Sequence, residues 1–299
     1  MDTVKLKGIT KDYIWGGKKL FDYGKSSSQD IIAESWELSF FDDNESMIDS
    51  GKYKGKTLKE VISDKELGKN VKKFPFFPVL IKLIDANKDL SIQVHPSDEY
   101  ALKYENSFGK TEMWYVVEAD ENSYLHIGFN KDVSKEEVER RIKDNSLLEI
   151  MNHIKVKEGD CYFIPSGTLH AIGKGVLVCE IQENSNLTYR VYDYGRLDKN
   201  GNPRELHVEK ALKVLNFNKL IPQNIQSSVL ADCEYFKVCK YENATIIEAD
   251  ENSFVSFTIV EGSGFVNDLP YSKGDTFFVP ANGKAVIKGK NKIITTKIN

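Results

Sequence analysis

The chain has 299 residues, 40% of them hydrophobic, and a formal net charge of −4 at pH 7. That length supports two domains of ordinary size, and the hydrophobic content supports a proper core. The mild negative charge excludes a general nucleic-acid binder but leaves room for a small anionic substrate at a local basic cluster, and no run approaches the ~18 apolar residues of a membrane span.

Met1 to Lys11 alternates charged with apolar residues and has no apolar h-region, so a cytoplasmic protein is expected. Short strand-like runs dominate the chain and helical patterns are few. Ser26-Ser27-Ser28 reads as a surface loop. In Ala33-Glu34-Ser35-Trp36-Glu37-Leu38 two carboxylates flank a tryptophan, which by itself is an ordinary edge strand. Thr57 to Leu67 is an expected helix. Lys82 is the single charge in Val79-Leu80-Ile81-Lys82-Leu83-Ile84, a setting that favours a pocket role. Ser91-Ile92-Gln93-Val94-His95-Pro96 follows. Period-two alternation puts Gln93 and His95 on one face and Leu90, Ile92 and Val94 on the other, toward a core. Lys110, Glu112 and Trp114 likewise share a face, although a lysine after Gly109 is by itself an ordinary solvated turn residue.

Ser134 to Ile154 is the strongest helical pattern. Ser134 and Glu137 suggest a capping box, and Leu147, Leu148, Met151 and Ile154 follow helical spacing. Pro165-Ser166-Gly167-Thr168-Leu169-His170 is a turn suited to presenting His170 into a cavity. Glu180 and Glu183 are ambiguous strand carboxylates. Arg190, in Thr188-Tyr189-Arg190-Val191-Tyr192, is either a surface residue or an anion clamp. Glu205 to Leu215 is a third expected helix. The four cysteines form no CxxC pair, and Cys161 and Cys179 read as buried free thiols.

A short repeat is visible. Gly159 to Pro165 matches Gly274 to Pro280 without a gap, and Tyr115 to Glu118 resembles Thr258 to Glu261. This register places Val255 opposite Glu112 and Ala285 opposite His170. Only the first copy therefore holds a full donor set. Gln93, His95, Glu112 and His170 suit one divalent ion of the zinc type, with positions left for water or substrate. Glu112 precedes an apolar run, where an unpaired carboxylate costs several kcal/mol to bury and a cation removes that cost.

Five segments resemble type I mannose-6-phosphate isomerases in their short bacterial form: AESWELS, FPVLIKLIDANKDLSIQVHPSDEYA, GKTEMWYVVEAD, IPSGTLHAIG and CEIQENSNLTYRVYDYGR. The resemblance runs from Trp15-Gly16-Gly17 to beyond Arg196 and continues more weakly to the C-terminus. It implies a mostly β fold of two cupin-type (jelly-roll) β-barrel modules with a few helices inserted. Residues 1–215 would be the catalytic module and 216–299 a degenerate one without metal ligands. It also implies one zinc per chain and interconversion of mannose 6-phosphate and fructose 6-phosphate through an enediolate. By this resemblance Gln93, His95, Glu112 and His170 look like zinc ligands, and Arg190 and Lys110 like catalytic residues. Trp15, Glu34, Lys82 and Glu180 look like substrate-pocket positions. The large helical insertion of the long form is missing here.

The general base stays open among His170, Glu180 and a metal-bound water, and the phosphate contact between Arg190 and Lys82. Two competing readings are a non-catalytic cupin that binds a sugar phosphate and an iron-dependent cupin oxygenase, whose two-histidine, one-carboxylate site this set partly mimics. Turnover in a coupled assay discriminates the first, and oxygen uptake with iron the second. The oligomeric state is left undetermined.

Overall fold

Period-two alternation and β-branched or aromatic side chains set most of this chain into strands. A computed structural model describes residues 1–197 and 201–299. In chain order come β1 (Val4–Lys7), β2 (Ile9–Lys11), β3 (Glu34–Leu38) and β4 (Met47–Ile48), then α1 (Leu58–Val61) and α2 (Asp64–Leu67). Next are β5 (Val79–Ala86), β6 (Ile92–Val94), α3 (Asp98–Tyr104), β7 (Glu112–Ala119), β8 (Tyr124–Phe129), α4 (Lys135–Lys143) and β9 (Met151–Lys155). β10 (Cys161–Ile164), β11 (His170–Ile172), β12 (Val176–Glu183), β13 (Tyr189–Tyr192) and α5 (Val208–Val214) follow. The chain ends with β14 (Val229–Asp232), β15 (Lys237–Glu242), β16 (Ile246–Glu248), β17 (Val255–Val266), β18 (Leu269–Ser272), β19 (Thr276–Val279) and β20 (Lys284–Lys297).

The strands form three sheets. One has the order β10-β7-β12-β5-β3-β2 and a second the order β13-β6-β11-β8-β9. They face each other across a core that takes Ile84, Trp114, Val116 and Val178 from the first sheet and Leu125, Ile127 and Ile172 from the second. The polar site lies at one end of that shared interior. The other face of the first sheet sends Ile81, Leu83, Met113 and Cys179 into a larger core with Val4, Leu6, Phe254, Phe278 and Ile294. Apart from Phe254, which directly precedes β17, those residues belong to the third sheet, of order β14-β15-β20-β17-β19-β1-β4, with β16 on β20 and β18 on β17. Strands β1 and β4 thus join a sheet otherwise built from the C-terminal part.

The repeat is reproduced in the pairing register. Glu112 stands opposite Ile164 in the β7–β10 ladder, and Val255 stands opposite Val279 in β17–β19. All four cysteines are free, and Cys161 and Cys179 are buried, as expected. Among the described residues no helix is long and apolar enough to cross a membrane.

Four local expectations are corrected. Residues 57–67 form two one-turn helices, because Ser63 is a second N-cap with its own capping box to Glu66 and Ile62 is extended. The 134–154 pattern yields a helix only to Lys143. Asn145 takes a left-handed φ of 60° that ends it, Leu147–Ile150 form a 3₁₀ turn, and Met151 to Lys155 is strand β9. Ser134 does cap Glu137 N–H, but the Glu137 carboxylate turns to Lys131 and Arg141. The third helix starts at Val208 because His207 N–H donates instead to the Arg190 carbonyl. Leu90 lies outside the regular part of β6, so the alternation does not reach it. It packs with Trp15 and Trp114 at the pocket, apart from Ile92 and Val94.

Candidate active site

β6 and β11 are neighbours, with His170 paired to Gln93, while Glu112 starts β7 in the facing sheet. His95 follows β6 directly. The sheets thereby bring together three groups distant in sequence: the donor atoms of His95, Glu112 and His170 all lie within 4.8 Å of one another. His95 Nδ1 sits 2.8 Å from the Leu187 carbonyl and His170 Nδ1 2.9 Å from that of Thr168. A carbonyl only accepts, so each Nδ1 carries the proton and each Nε2 presents its lone pair. Those lone pairs face one carboxylate. His170 Nε2 is 3.3 Å from Glu112 Oε1, and His95 Nε2 is 3.8 Å from Oε2. The Gln93 side-chain amide is 3.5 Å from His170 Nε2.

Electrostatics agree with this arrangement. Burial, then the Lys110 charge, lowers His170 to about 4 and pushes His95 well below its usual 6.5, so both rings are neutral at pH 7. Burial also raises Glu112, against the pull of Lys110. Glu112 Oε1 is buried with no hydrogen-bond partner. Two preset imidazole lone pairs and an orphaned carboxylate oxygen are donors a divalent cation needs, and the carbonyls behind the rings supply the outer hydrogen bonds that orient such ligands.

A buried row of alternating charge leads away from this cluster. Lys110 Nζ touches Glu112 Oε2 and lies 3.3 Å from His95 Nε2 and 3.7 Å from Glu180 Oε1. Lys82 Nζ lies 3.6 Å from Glu180 Oε1 and 3.5 Å from Glu34 Oε2. Two indoles fix the carboxylates: Trp114 Nε1 donates to Glu180 at 2.8 Å and Trp36 Nε1 to Glu34 at 2.6 Å. Burial alone would raise Glu180, but Lys110, Lys82 and the Trp114 hydrogen bond outweigh it and hold the carboxylate at about 2. The same carboxylates keep Lys82 protonated despite the burial that opposes its charge.

Above the row opens a cavity of about 330 Å³. Trp15, Glu34, Lys82, Gln93, Lys110, Glu180 and Arg190 line it, and His95, Glu112 and His170 lie buried beside it. The structure thus gathers every singled-out site residue at one place. Glu37 and Glu183, the neighbours of Glu34 and Glu180 in sequence, lie elsewhere. Glu37 pairs with Lys25 at 2.7 Å in the other core, and Glu183 accepts from Thr111 N–H at 2.5 Å. Tyr13, Ser91, Asn186, Thr188 and Arg204 also line the pocket and were not foreseen. Only Ser91 had a usable signal, since it stands two residues before Gln93, although just outside β6.

A family model described as phosphomannose isomerase type I, catalytic domain, matches residues 3–139. Mannose-6-phosphate isomerase ManA of Bacillus subtilis (strain 168) is 36% identical over 291 residues, 92% of this chain and 92% of its own length. The chain belongs to the type I phosphomannose isomerase family. A mannose-6-phosphate isomerase of Streptococcus mutans serotype c is 36% identical over 89% of each chain. The crystal structure of the mannose 6-phosphate isomerase from Bacillus subtilis superposes with a TM-score of 0.87 over 99% of each chain at 36% identity. A phosphomannose isomerase from Salmonella typhimurium, 16% identical with a TM-score of 0.78, shares the fold alone. These phosphomannose isomerase neighbours are cupin-like, in agreement with the mostly β, cupin-type expectation.

Proposed function

We propose that this phosphomannose isomerase interconverts D-mannose 6-phosphate and D-fructose 6-phosphate, with one zinc ion held by Gln93, His95, Glu112 and His170. The observation that carries the reading is the convergence of two tautomer-locked imidazole lone pairs on the Glu112 carboxylate, His170 Nε2 at its unpartnered Oε1 and His95 Nε2 at Oε2, beside Lys110. On this reading residues 1–215 form the catalytic module. Residues 216–299 are its counterpart without ligands, since Val255 and Ala285 stand where Glu112 and His170 would. Four free thiols and a small-molecule substrate are in keeping with a cytoplasmic enzyme.

The isomerisation removes a proton from the carbon next to a carbonyl and returns it one carbon away. Bound zinc would supply Lewis-acid polarisation of sugar oxygens. Lys110 and Arg190 face the pocket and stabilise the negative charge of the enediolate as it develops. His170 is a poor general base, because Nδ1 is committed to Thr168 and Nε2 to the ligand set. Glu180 is ionised and lines the pocket, but Lys82 and Lys110 lie 3.6 and 3.7 Å from its Oε1 and hold the carboxylate at about 2, which makes it a weak base, so no single residue is assigned as the proton acceptor. Trp15 and Leu90 supply an apolar wall that limits water.

The test is a coupled assay on purified protein with metal analysis. The expected result is turnover of mannose 6-phosphate with about one zinc per chain, and loss of both in His95→Ala. Absence of turnover in zinc-replete, folded protein defeats the proposal.

A further inference from the structure

The two ends of the pocket differ in how their charge is compensated. At the inner end Lys82 and Lys110 face three carboxylates, Glu34, Glu112 and Glu180, so their charge is already compensated. At the mouth Arg190, Arg196 and Arg204 surround one carboxylate, Asp193. Arg204 grips Asp193 with both prongs, Nε to Oδ2 at 2.6 Å and Nη2 to Oδ1 at 2.5 Å, and Arg196 holds the same carboxylate from the other side. Asp193 is buried, and its carboxyl stays below the usual range because both arginines outweigh the burial that opposes its charge. Among the described residues three guanidiniums meet the Asp193 carboxylate and the exposed Glu205, which leaves the mouth with positive charge in excess. A phosphate monoester brings about −1.5 to −2 at pH 7.

The free edges point to a binding role. Arg190 donates Nε to Ser91 Oγ at 3.3 Å and Nη1 to the Glu205 carbonyl at 2.9 Å. Arg204 spends Nε and Nη2 on Asp193. Among the described residues neither Arg190 Nη2 nor Arg204 Nη1 has an acceptor, and both side chains line the pocket. Arg196 does not line it and spends Nη1 on the Asp89 carbonyl. After burial, the Arg204 charge is what most depresses Arg190, so the two cations stand close, with Asp193 and Glu205 acting on Arg190 in the opposite sense. Arg190 pairs across the strands with Gln93, nearer the ligand cluster, which leaves Arg204 as the outer cation.

Resting on the isomerase reading above, we propose that Arg204, together with Arg190, is the phosphate anchor of the pocket, with Asp193 as its positioning residue, and that Lys82 is not a phosphate contact. The sugar then lies with its phosphate at the arginine end and its C1 and C2 over the histidine and glutamate cluster.

The experiment compares wild type, Arg204→Gln and Arg196→Gln in steady-state kinetics with mannose 6-phosphate, in competition by inorganic phosphate, and in calorimetric binding of inorganic phosphate, with metal content checked in each. Arg204→Gln is expected to raise KM and the phosphate inhibition constant on the order of 10- to 100-fold, the range set by losing a charge-assisted contact, with kcat changed far less. Arg196→Gln, which removes one charge of the cluster and one hold on Asp193 but no pocket-lining group, is expected to raise both by clearly less than Arg204→Gln. Unchanged KM and phosphate affinity in Arg204→Gln overturn the proposal. So does an equal loss in Arg196→Gln, which reduces Arg204 to a loop fastener. Should wild type bind phosphate yet turn over no mannose 6-phosphate, the function is wrong, and the calorimetric loss in Arg204→Gln still decides the anchor.

Discussion

Single residues in this pocket separate metal binding from substrate handling. Arg190 shares no contact with His95, Glu112 or His170 beyond its strand pairing with Gln93. Arg190→Lys is therefore expected to keep metal and fold. It should still lose about tenfold or more in kcat/KM, because an ammonium cannot reproduce the forked contact of guanidinium. Near wild-type kinetics in a metal-replete variant would remove Arg190 from the chemistry. Glu183 offers a test by pH outside the ligand set. Burial, then the neighbouring Asp98 carboxylate, pushes it from 4.5 up to about 8. The folded protein thus holds a proton that the unfolded chain releases near 4.5. Its contribution is full at low pH and is lost as pH rises from about 4.5 through 8, with a slope of at most about 1.4 kcal/mol per pH unit. Glu183→Gln keeps an acceptor for Thr111 N–H and removes the titration. Its Tm should match wild type near pH 5 and exceed it increasingly toward pH 8. Parallel Tm profiles for the two proteins would refute the assignment.

At the level of elements, the turn before β7 decides where Lys110 sits. A Cβ at Gly109 would lie 2.5 Å from Asp98 N and Ser97 C and 2.7 Å from Pro96 O, all backbone atoms at the start of α3. Lys110 N–H donates to that same Pro96 carbonyl at 3.1 Å. Gly109→Ala should cost about 1–3 kcal/mol through overcrowding and lower activity with it, because the turn must open and carry Lys110 away. Unfolding and turnover both at wild-type values would show that the turn yields freely. The same elements explain what could be read from the chain. Lys82 stood out because it interrupts a strand buried along its whole length, where a charge needs a reason, whereas Glu180, in a strand of the same kind, was ambiguous beside Glu183 and reached the pocket only through the family resemblance. Arg204 did not stand out. It lies in no regular element, and its meaning depends on Asp193, which only the folded chain brings to it. The over-long helix at 134–154 failed because Leu147 is buried by a 3₁₀ turn and Met151 by a strand, two different geometries that mimic one helical stripe.

Across the whole molecule, the larger core ignores the division at residue 215. Leu83, Met113 and Cys179 from the site-bearing sheet pack with Leu230, Phe254, Phe278 and Ile294. A chain cut after 215 would expose that face, so the isolated piece should fail to give a cooperative unfolding transition, while the full chain should unfold as one unit. A sharp transition in the isolated piece, near the Tm of the full chain, would contradict the shared core. Strand β1 has a consequence for biosynthesis. Val4 and Leu6 find their partners in Phe278 and Thr276, near the opposite end of the chain. At roughly 5–20 residues per second on the ribosome, the first strand made waits on the order of tens of seconds for the strand it must join. Throughout that wait its backbone edge is open to any extended segment nearby. Newly made chains should then be most prone to mispair late in synthesis, and a kinetic trap that releases only when β19 emerges would make the yield of native protein depend on translation speed.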